Sequence, residues 1–257
     1  MIRIGTSGYS FDDWVGPFYP EEINKSNFLS YFSQRLNNVE VNYTYYRIPT
    51  AATLANMEAK TPEGFMFTLK ATGDITHDQS QDPEIYEEYR SNLQPLIDAG
   101  KFGCVLLQFP NSFHLEKQNV NHLAFIREQW PDLSLAVEFR HKSWVEDERT
   151  FEFLQDQNMA YCCIDEPQFS TLVPPIARAT ADIAYVRFHG RNYEKWWQHE
   201  EAWERYDYLY SRDELKEWVD KVKMLDEQTE TTYVFFNNHY NAQAVQNAME
   251  FSGLLEQ

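Results

Sequence analysis

The sequence predicts a single α/β domain folded as a TIM-type (β/α)8 barrel, in which one unit is expected to be irregular. Short segments with strand composition recur eight times along the 257 residues, and nearly every connection between them has helical periodicity. The length suits one barrel-sized core spanning residues 1–257. An open, doubly wound sheet is the alternative, but no GxGxxG motif follows the first strand, so a dinucleotide site has no local support.

Eight segments carry the strand signal. In chain order they are Ile2–Thr6, Asn38–Val41, Phe65–Lys70, Cys104–Gln108, Leu135–Glu138, Ala160–Asp165, Ile183–Phe188 and Thr232–Phe236. In the fifth, Leu135 and Val137 point to one face, while Ala136 and Glu138 point to the other, because strand side chains alternate. Its apolar flanks predict burial on both faces, as in a parallel sheet.

Apolar residues at helical spacing fill most of the connections. The predicted helices are Asn24–Leu36, Thr50–Lys60, Asp82–Ala99, Leu115–Trp130, Glu146–Asn158, Arg212–Leu225 and Tyr240–Phe251. Gly100 and Pro131 supply stop signals for the third and fourth of them. The Pro-rich stretch Glu166–Asp182 has a poor helical pattern, so the sixth unit is expected to be irregular.

The charge and the cysteine content limit the possible partners and compartment. The chain has 22 Lys and Arg residues against 40 Asp and Glu residues, a net charge of −18 that repels nucleic acid and anionic membranes. No apolar run reaches the ~20 residues of a membrane-spanning helix, and no signal-peptide pattern opens the chain. The three cysteines lack the spacing of a disulfide framework. We therefore expect a cytoplasmic protein that binds neither nucleic acid nor membrane.

Polar and charged residues collect where the predicted strands end. If the apolar face of each strand packs against the helices, the inward residues are Arg3, Gly5, Ser7, Glu40, Asn42, Thr68, Lys70, Gln108, Glu138, Arg140, Asp165, Arg187, His189 and Asn237. Most of them fall at carboxyl-terminal strand ends, where barrel enzymes place their active sites. A structural ion network that closes the barrel is the alternative interpretation.

Long motifs along the chain match a known family. They are GTSGYSFDDWVGPFYP, VEVNYTYYRIP, FTLKATGDITH, LLQFPNSF, AVEFRHKSW, RFHGR, YDYLYS and FNNH. In this order they resemble the YecE-like family, also called domain of unknown function 72. The resemblance spans nearly the whole chain and implies a TIM-barrel-like fold in a bacterial cytosolic protein, but it implies no established reaction. Tyr45 and Tyr46 stand where a Phe-Tyr pair is common in the family.

The residues at the strand ends favour an enzyme that performs acid–base chemistry on a small anionic or polar metabolite. Glu138 is the candidate general base, with Glu40 or His189 as its partner. The candidate substrate-binding residues are Lys70, Arg140, Arg187, Arg191, Asn42, Gln108, Asn237 and Tyr208. Because arginine forks hold oxyanions in defined geometry, we expect an anion near Arg187 and Arg140, within reach of His189 or Asn237.

Two other functions remain open at this point. A non-catalytic barrel that binds an anionic metabolite would need the same cations, and a divalent-metal-dependent hydrolase or isomerase would use Glu40, Glu138 and Asp165 as ligands. No HxH, HExxH or DxD spacing is present, and nearby cations would compete for the carboxylates. We predict no obligatory organic cofactor, a divalent metal belongs only to the metal-dependent alternative, and the oligomeric state stays open.

Aromatic residues are expected to border the ligand site. The segment Tyr43–Tyr46 and the long loop Gly190–Ser211 are rich in aromatic rings, and a loop of that length is often a lid or a binding element. Most of the loop aromatics are expected to pack over the barrel. Tyr206 and Tyr208 are the ones predicted to contact a ligand.

Overall fold

Eight parallel strands close into a barrel in the computed structural model, which describes residues 1–257. The strands are β1 Ile2–Ser7, β2 Asn38–Val41, β3 Met66–Lys70, β4 Phe102–Gln108, β5 Leu135–Glu138, β6 Met159–Asp165, β7 Ile183–Phe188 and β8 Thr231–Phe236. Each strand pairs with its neighbours in chain order, and β1 closes the ring against β8 with Ile2 opposite Thr232. The TIM-type barrel prediction is confirmed, and the open-sheet alternative is excluded.

Helices follow most strands and cover the outside of the barrel. They are α1 Phe28–Phe32, α2 Ala51–Glu58, α3 Gly73–Thr76, α4 Pro83–Asn92, α5 Gln94–Asp98, α6 Lys117–Gln129, α7 Glu148–Asp156, α8 Arg212–Gln228 and α9 Gln243–Leu255. Between β6 and β7 there is no helix, so the predicted irregular sixth unit is confirmed. None of the helices is long and apolar enough to cross a membrane.

Three predicted helices contain a break or an irregular turn. The helix predicted over Asp82–Ala99 divides into α4 and α5, because Pro95 lacks an N–H group and its ring obstructs the carbonyl four residues earlier. The helix predicted from Asn24 begins as a 3-10 turn and ends at Phe32. Before α9, Asn241 and Ala242 adopt left-handed backbone angles, with φ of 49° and 60°. The Asn241 N–H donates to Asp13 Oδ2 at 2.6 Å, which ties this kink to the loop after β1.

The barrel interior is filled by side chains below its carboxyl-terminal mouth. Tyr185 on β7 reaches across to the opposite wall, where its hydroxyl lies 3.1 Å from Thr68 Oγ1 on β3. The rings of Tyr185 and Phe235 lie 5.1 Å apart between centroids. At the amino-terminal end, Arg3 donates to the Gly64 carbonyl at 2.7 Å. Within the barrel, the open space therefore lies at the mouth, where the strands end.

Candidate functional site

A cavity of about 440 Å³ opens at the carboxyl ends of the strands. Its polar lining comes from the ends of five strands and from the loops that follow strands, and the remainder is mainly aromatic. The lining residues are Ser7, Gly8, Tyr9, Ser10, Phe11, Glu40, Val41, Asn42, Tyr43, Tyr45, Tyr46, Lys70, Gln108, Arg140, Arg187, Tyr206, Asn237 and His239. Barrels of this type place their chemistry at this end, so the cavity is the candidate functional site.

Arg187 joins acids from two strands that are not neighbours, β2 and β5. Strand β7 points its side chain inward, where Nη1 donates to Glu138 Oε2 at 2.5 Å and Nη2 donates to Glu40 Oε1 at 2.7 Å. The three side chains are almost completely buried. Tyr185 adds a second hydrogen bond to Glu40, from its hydroxyl to Oε2 at 2.6 Å. Both terminal nitrogens of Arg187 are therefore occupied within the protein.

Arg140 approaches the same carboxylate from the loop after β5. Its Nε lies 2.6 Å from Glu138 Oε1, and its Nη1 donates to Glu166 Oε2 at 3.0 Å. Burial alone would raise the pKa of Glu138, but Arg140 and Arg187, aided by His189, hold that pKa well below its usual range. Glu138 is therefore a stable anion that anchors two guanidinium groups, which is an unfavourable state for a general base near neutral pH.

His189 lies beside Glu138 as a neutral imidazole. Burial, reinforced by Arg140, lowers the pKa of His189 to about 3. Nδ1 lies 3.1 Å from Asn237 Nδ2, and Nε2 lies 3.3 Å from Glu138 Oε1. The amide of Asn237 donates to Nδ1, which leaves the proton on Nε2, facing the carboxylate. In this state His189 positions Glu138 and is not an acid at neutral pH.

Lys70, at the end of β3, carries the cavity's ammonium group. Nζ donates to Gln108 Oε1 at 2.6 Å and lies 4.6 Å from the centroid of the Tyr45 ring. No carboxylate lies within salt-bridge distance of it, although Glu40 lines the same cavity. Burial lowers the pKa of Lys70 to about 8, and the charge of Arg187 adds to the effect. Lys70 is thus a partly deprotonated amine beside open space.

Glu166 belongs to the buried charge network and was not among the predicted residues. It follows β6 directly, is 1% exposed, and accepts a hydrogen bond from Arg140. Burial raises the pKa of Glu166 to about 8, against the opposing effect of Arg140. The one available sequence signal was the run Ile164–Glu166, which holds two adjacent acids at a strand end without indicating which of them faces inward.

The prediction that Asp165 faces the barrel interior is wrong. Its Oδ2 accepts from Trp218 Nε1 of α8 at 2.8 Å, and its Oδ1 accepts from the Tyr210 hydroxyl at 2.7 Å. Cys162 instead lies inward, with Sγ 3.8 Å from Glu138 Oε2. Because strand side chains alternate, an inward Cys162 puts Asp165 on the helix side.

Two of the predicted ligand-binding residues lie away from the cavity lining. Arg191 donates to both oxygens of Asp165, at 2.8 and 2.7 Å, and to Glu217 at 2.8 Å. Tyr208 donates its hydroxyl to Glu214 at 2.5 Å. The structure brings the other predicted residues to the mouth, either in the lining (Lys70, Arg140, Arg187, Asn42, Gln108, Asn237 and Glu40) or in the buried network (Glu138 and His189).

Aromatic rings form the remaining wall of the cavity. Tyr43, Tyr45 and Tyr46 come from the segment after β2, and Tyr206 comes from the loop after β7. His239 stacks on Phe11, with ring centroids 4.6 Å apart and planes 4° from parallel. Trp196 of the same long loop is buried and Trp197 is half exposed, and both lie outside the lining. These rings limit the access of water to the cations.

The acids of the site are not arranged as metal ligands. No group of three or more His, Cys, Asp or Glu side chains in the structure has an arrangement that could hold a metal ion. Glu40 and Glu138 are both engaged by Arg187, whereas Asp165 lies on the other face of β6. The three residues named for the metal alternative are therefore not brought together.

Comparison with known proteins gives matches over the full chain. A family model described as "Protein of unknown function DUF72" matches residues 3–257. The UPF0759 protein YunF of Bacillus subtilis (strain 168) is 31% identical over 271 residues, which cover 100% of this chain and 95% of YunF. The crystal structure of a DUF72 family protein from Thermotoga maritima superposes with a TM-score of 0.92 at 42% identity, covering 100% of both chains. One from Enterococcus faecalis gives 0.90 at 27% identity, covering 100% of this chain and 96% of its own.

Proposed function

The chain belongs to the DUF72 family of proteins of unknown function, and from the chemistry of its barrel mouth we propose that it is an enzyme acting on a small anionic metabolite. The observation that carries the proposal is the uncompensated Lys70 ammonium in the mouth cavity. It is bound to a neutral amide oxygen only, and Arg140 lines the same space. A cation that is partly withdrawn from water and lacks a carboxylate partner favours an anionic ligand.

The charge pairs in the site determine which cations remain for that ligand. Both terminal nitrogens of Arg187 donate to Glu138 and Glu40, so Arg187 contributes positive charge to the site but no terminal nitrogen free of protein partners. Arg140 uses Nε and Nη1 on acids, and Nη2 remains without a protein partner. The proposed anion site therefore lies between Lys70 and Arg140, and Asn42, Gln108 and Asn237 supply neutral polar groups.

The catalytic part of the proposal also rests on Lys70. A group whose pKa is about 8 exchanges protons near neutral pH, which is the property required of a general base. Glu138, the base expected from the sequence, is held ionised by two arginines and binds a proton poorly. Lys70 therefore replaces Glu138 as the proposed proton acceptor, while Glu138 and His189 position the arginines.

A non-catalytic anion-binding barrel is the second candidate function. This function is favoured by the ion pairs that Arg187 makes with Glu138 and Glu40. Because both carboxylates are already paired, few acidic groups are left to act as an acid or a base. In that case the mouth would bind the same anions without turning them over. The two functions are separated by assaying any ligand found below for conversion, with the Lys70→Met variant as the comparison.

The test is a thermal-shift screen of the full chain with phosphate, sulfate, malonate and other small carboxylates. A ligand at 100 times its Kd adds about 2.7 kcal/mol to the free energy of unfolding, so at least one anion should raise the melting temperature. Lys70→Met should abolish the increase, measured against its own ligand-free baseline. Lys142→Met, at a partly exposed residue paired with Glu146 outside the cavity, should retain it. Equal increases in all three proteins, or none in any, would refute the anion site.

A further inference from the structure

Lys70 differs from the lysines whose amines are neutralised by acids. Lys25, Lys101, Lys142 and Lys195 each lie within 3.1 Å of a carboxylate oxygen, whereas Lys70 contacts the amide oxygen of Gln108. The geometry points to Lys70 as a nucleophile that forms an imine with a small oxo acid or anionic aldehyde in the mouth cavity. This inference rests on the anion-binding function proposed above and names its substrate class.

The surroundings of Lys70 supply the free amine that this chemistry needs. Burial, Arg187 and, to a smaller extent, Arg140 lower the pKa of Lys70 and so favour loss of its proton. Glu138 and Glu40 raise that pKa. The group facing Lys70 from the α3 end is His77, whose pKa is lowered by its own burial and by Lys70. On balance the pKa of Lys70 is about 8, so roughly one amine in ten is uncharged at pH 7. An uncharged lysine amine is nucleophilic toward carbonyl carbon.

The reaction balances with water as the only by-product. The Nζ lone pair attacks the carbonyl carbon and forms the N–C bond, while the π pair of the carbonyl moves to oxygen. Proton transfer from nitrogen to oxygen gives the neutral carbinolamine. The carbinolamine hydroxyl then takes up a proton from solvent, and the C–O bond breaks with its electron pair going to oxygen. Water leaves, and the nitrogen lone pair forms the C=N bond of a protonated imine. No atom changes its redox state overall, so neither oxidant nor reductant is required.

The substrate class follows from what surrounds the amine. Imine formation removes the Lys70 ammonium as an anion partner, so the substrate's acid group needs another cation. Arg140 lines the cavity with one terminal nitrogen free of protein partners. The ring of Tyr45, 4.6 Å from Nζ, and the rings of Tyr43 and Tyr206 limit water around the imine, which slows its hydrolysis. A short molecule with a carbonyl near a carboxylate or phosphate fits these requirements.

The experiment is reductive trapping on the full chain. The protein is incubated at pH 7 with glyoxylate, pyruvate or pyridoxal 5′-phosphate and sodium cyanoborohydride, and the modified lysines are located by peptide mass mapping. An exposed lysine with a pKa near 10.4 is uncharged about once in 2,500 molecules, so Lys70 should be modified on the order of a hundredfold faster. Lys70→Arg should lose this fast modification, and Lys142→Arg should retain it. Competitive acetylation with acetic anhydride, which needs no bound substrate, should show the same preference for Lys70.

The outcomes separate this inference from the function on which it rests. The assignment of Lys70 as a nucleophile is refuted if Lys70 is acetylated no faster than Lys142. It is also refuted if the trapped adducts are spread evenly over the surface lysines. Lactate, which has the acid group without the carbonyl, serves as the binding control in thermal-shift measurements. If lactate stabilises the wild type but not Lys70→Met, and no adduct forms at Lys70, the anion-binding function is supported and only the imine chemistry is refuted. If lactate and the other anions leave the melting temperature unchanged, the proposed function fails as well.

Discussion

Glu138 holds two guanidinium groups in place, and its removal should leave both of them without their shared partner. Arg187 lies 2.5 Å from Oε2, and Arg140 lies 2.6 Å from Oε1. Breaking a buried ion pair by removing one charge typically costs about 3–5 kcal/mol. We therefore expect Glu138→Gln to lower the free energy of unfolding by about that amount, measured by urea denaturation.

An exposed ion pair provides the matched control for that substitution. Glu146 lies four residues from its partner Lys142, and the side chains of Lys142 and Glu146 are 40% and 60% exposed. Because exposed pairs contribute about 0–1 kcal/mol, Glu146→Gln should change the free energy of unfolding by less than 1 kcal/mol. Similar losses in the two variants would mean that the Glu138 network does not contribute to stability as the geometry indicates.

Glu166 should make the folded state less stable as the pH rises. Burial raises its pKa to about 8 in the folded chain, whereas an unfolded glutamate titrates near about 4.3. Between these values the folded state binds more protons than the unfolded state, so stability falls with increasing pH. From pH 5.5 to 7.5 the loss attributable to Glu166 is about 2–3 kcal/mol.

The comparison that isolates this effect is wild type against Glu166→Gln, unfolded in urea at both pH values. The amide cannot ionise, so the variant should lose less stability than the wild type over the same interval. The difference between the two proteins removes contributions from histidines and other groups that titrate in both. Parallel losses would show that Glu166 is ionised in the folded chain and that Arg140 outweighs its burial.

The polar strand ends were predictable from the sequence because alternation assigns a face to every residue of a regular strand. Glu40, Lys70, Glu138 and Arg187 were identified in this way. Asp165 was assigned to the wrong face because β6 is apolar on both sides, and MAYCCI offers no contrast that fixes its parity. The pairing of Arg191 with Asp165 could not be predicted from the sequence pattern either, because it links a loop to the outer face of a strand.

At the scale of the elements, strands were easier to predict than helices. β2, β5 and β7 begin and end where the sequence pattern predicted, because each is short, continuous and bounded by turn residues. The break between α4 and α5 depends on a single proline inside a long helical pattern. The register of β3 against β4 shifts near Phe67 and Leu69. This shift depends on the pairing between the two strands, so the sequence of neither strand alone predicts it.

Gly5 allows β1 and β2 to approach closely, and this contact gives a prediction for the strand. A Cβ atom at this position would lie 2.0 Å from the backbone oxygen of Asn38. Backbone cannot move aside as a flexible side chain can, so Gly5→Ala should destabilise the protein by about 3 kcal/mol, the upper part of the usual range for overpacking. The loss should appear as a lower urea midpoint.

Gly253 in α9 is the control for this substitution. A Cβ atom there meets nothing within 4 Å, and the backbone is helical. Alanine at such a site stabilises a helix by about 0.5–1 kcal/mol, so Gly253→Ala should raise the midpoint. A neutral Gly5→Ala variant would mean that β1 and β2 can separate without loss of barrel closure.

At the scale of the whole molecule, the net charge of −18 surrounds a mouth that carries three cations. Self-repulsion among exposed acids destabilises the compact state and is screened by salt. The Debye length falls from about 30 Å at 0.01 M to about 8 Å at 0.15 M ionic strength, so the melting temperature should rise over this interval. The expected readout is a thermal scan at several NaCl concentrations at pH 7.

The buried pairs allow this prediction to be checked more closely. Glu138→Gln should show the same increase with salt as the wild type, because Arg187 and Arg140 are shielded from mobile ions. A melting temperature that falls with salt in the wild type would contradict the prediction, since it would mean that attractive ion pairs outweigh the net repulsion. The added ion should be chloride rather than sulfate or phosphate, because the proposed anion site would also bind multivalent oxyanions.

The pairing of β1 with β8 has a consequence for how the chain is made. Ile2 lies opposite Thr232, so β1 pairs with the last of the eight strands and waits for it before the ring can close. During translation the nascent chain therefore exposes an unpaired edge on β1 until β8 has been made. Contacts of such long sequence separation also slow folding. The ring therefore cannot close before β8 is available, and a chain truncated before β8 would have two open edges and be prone to aggregate.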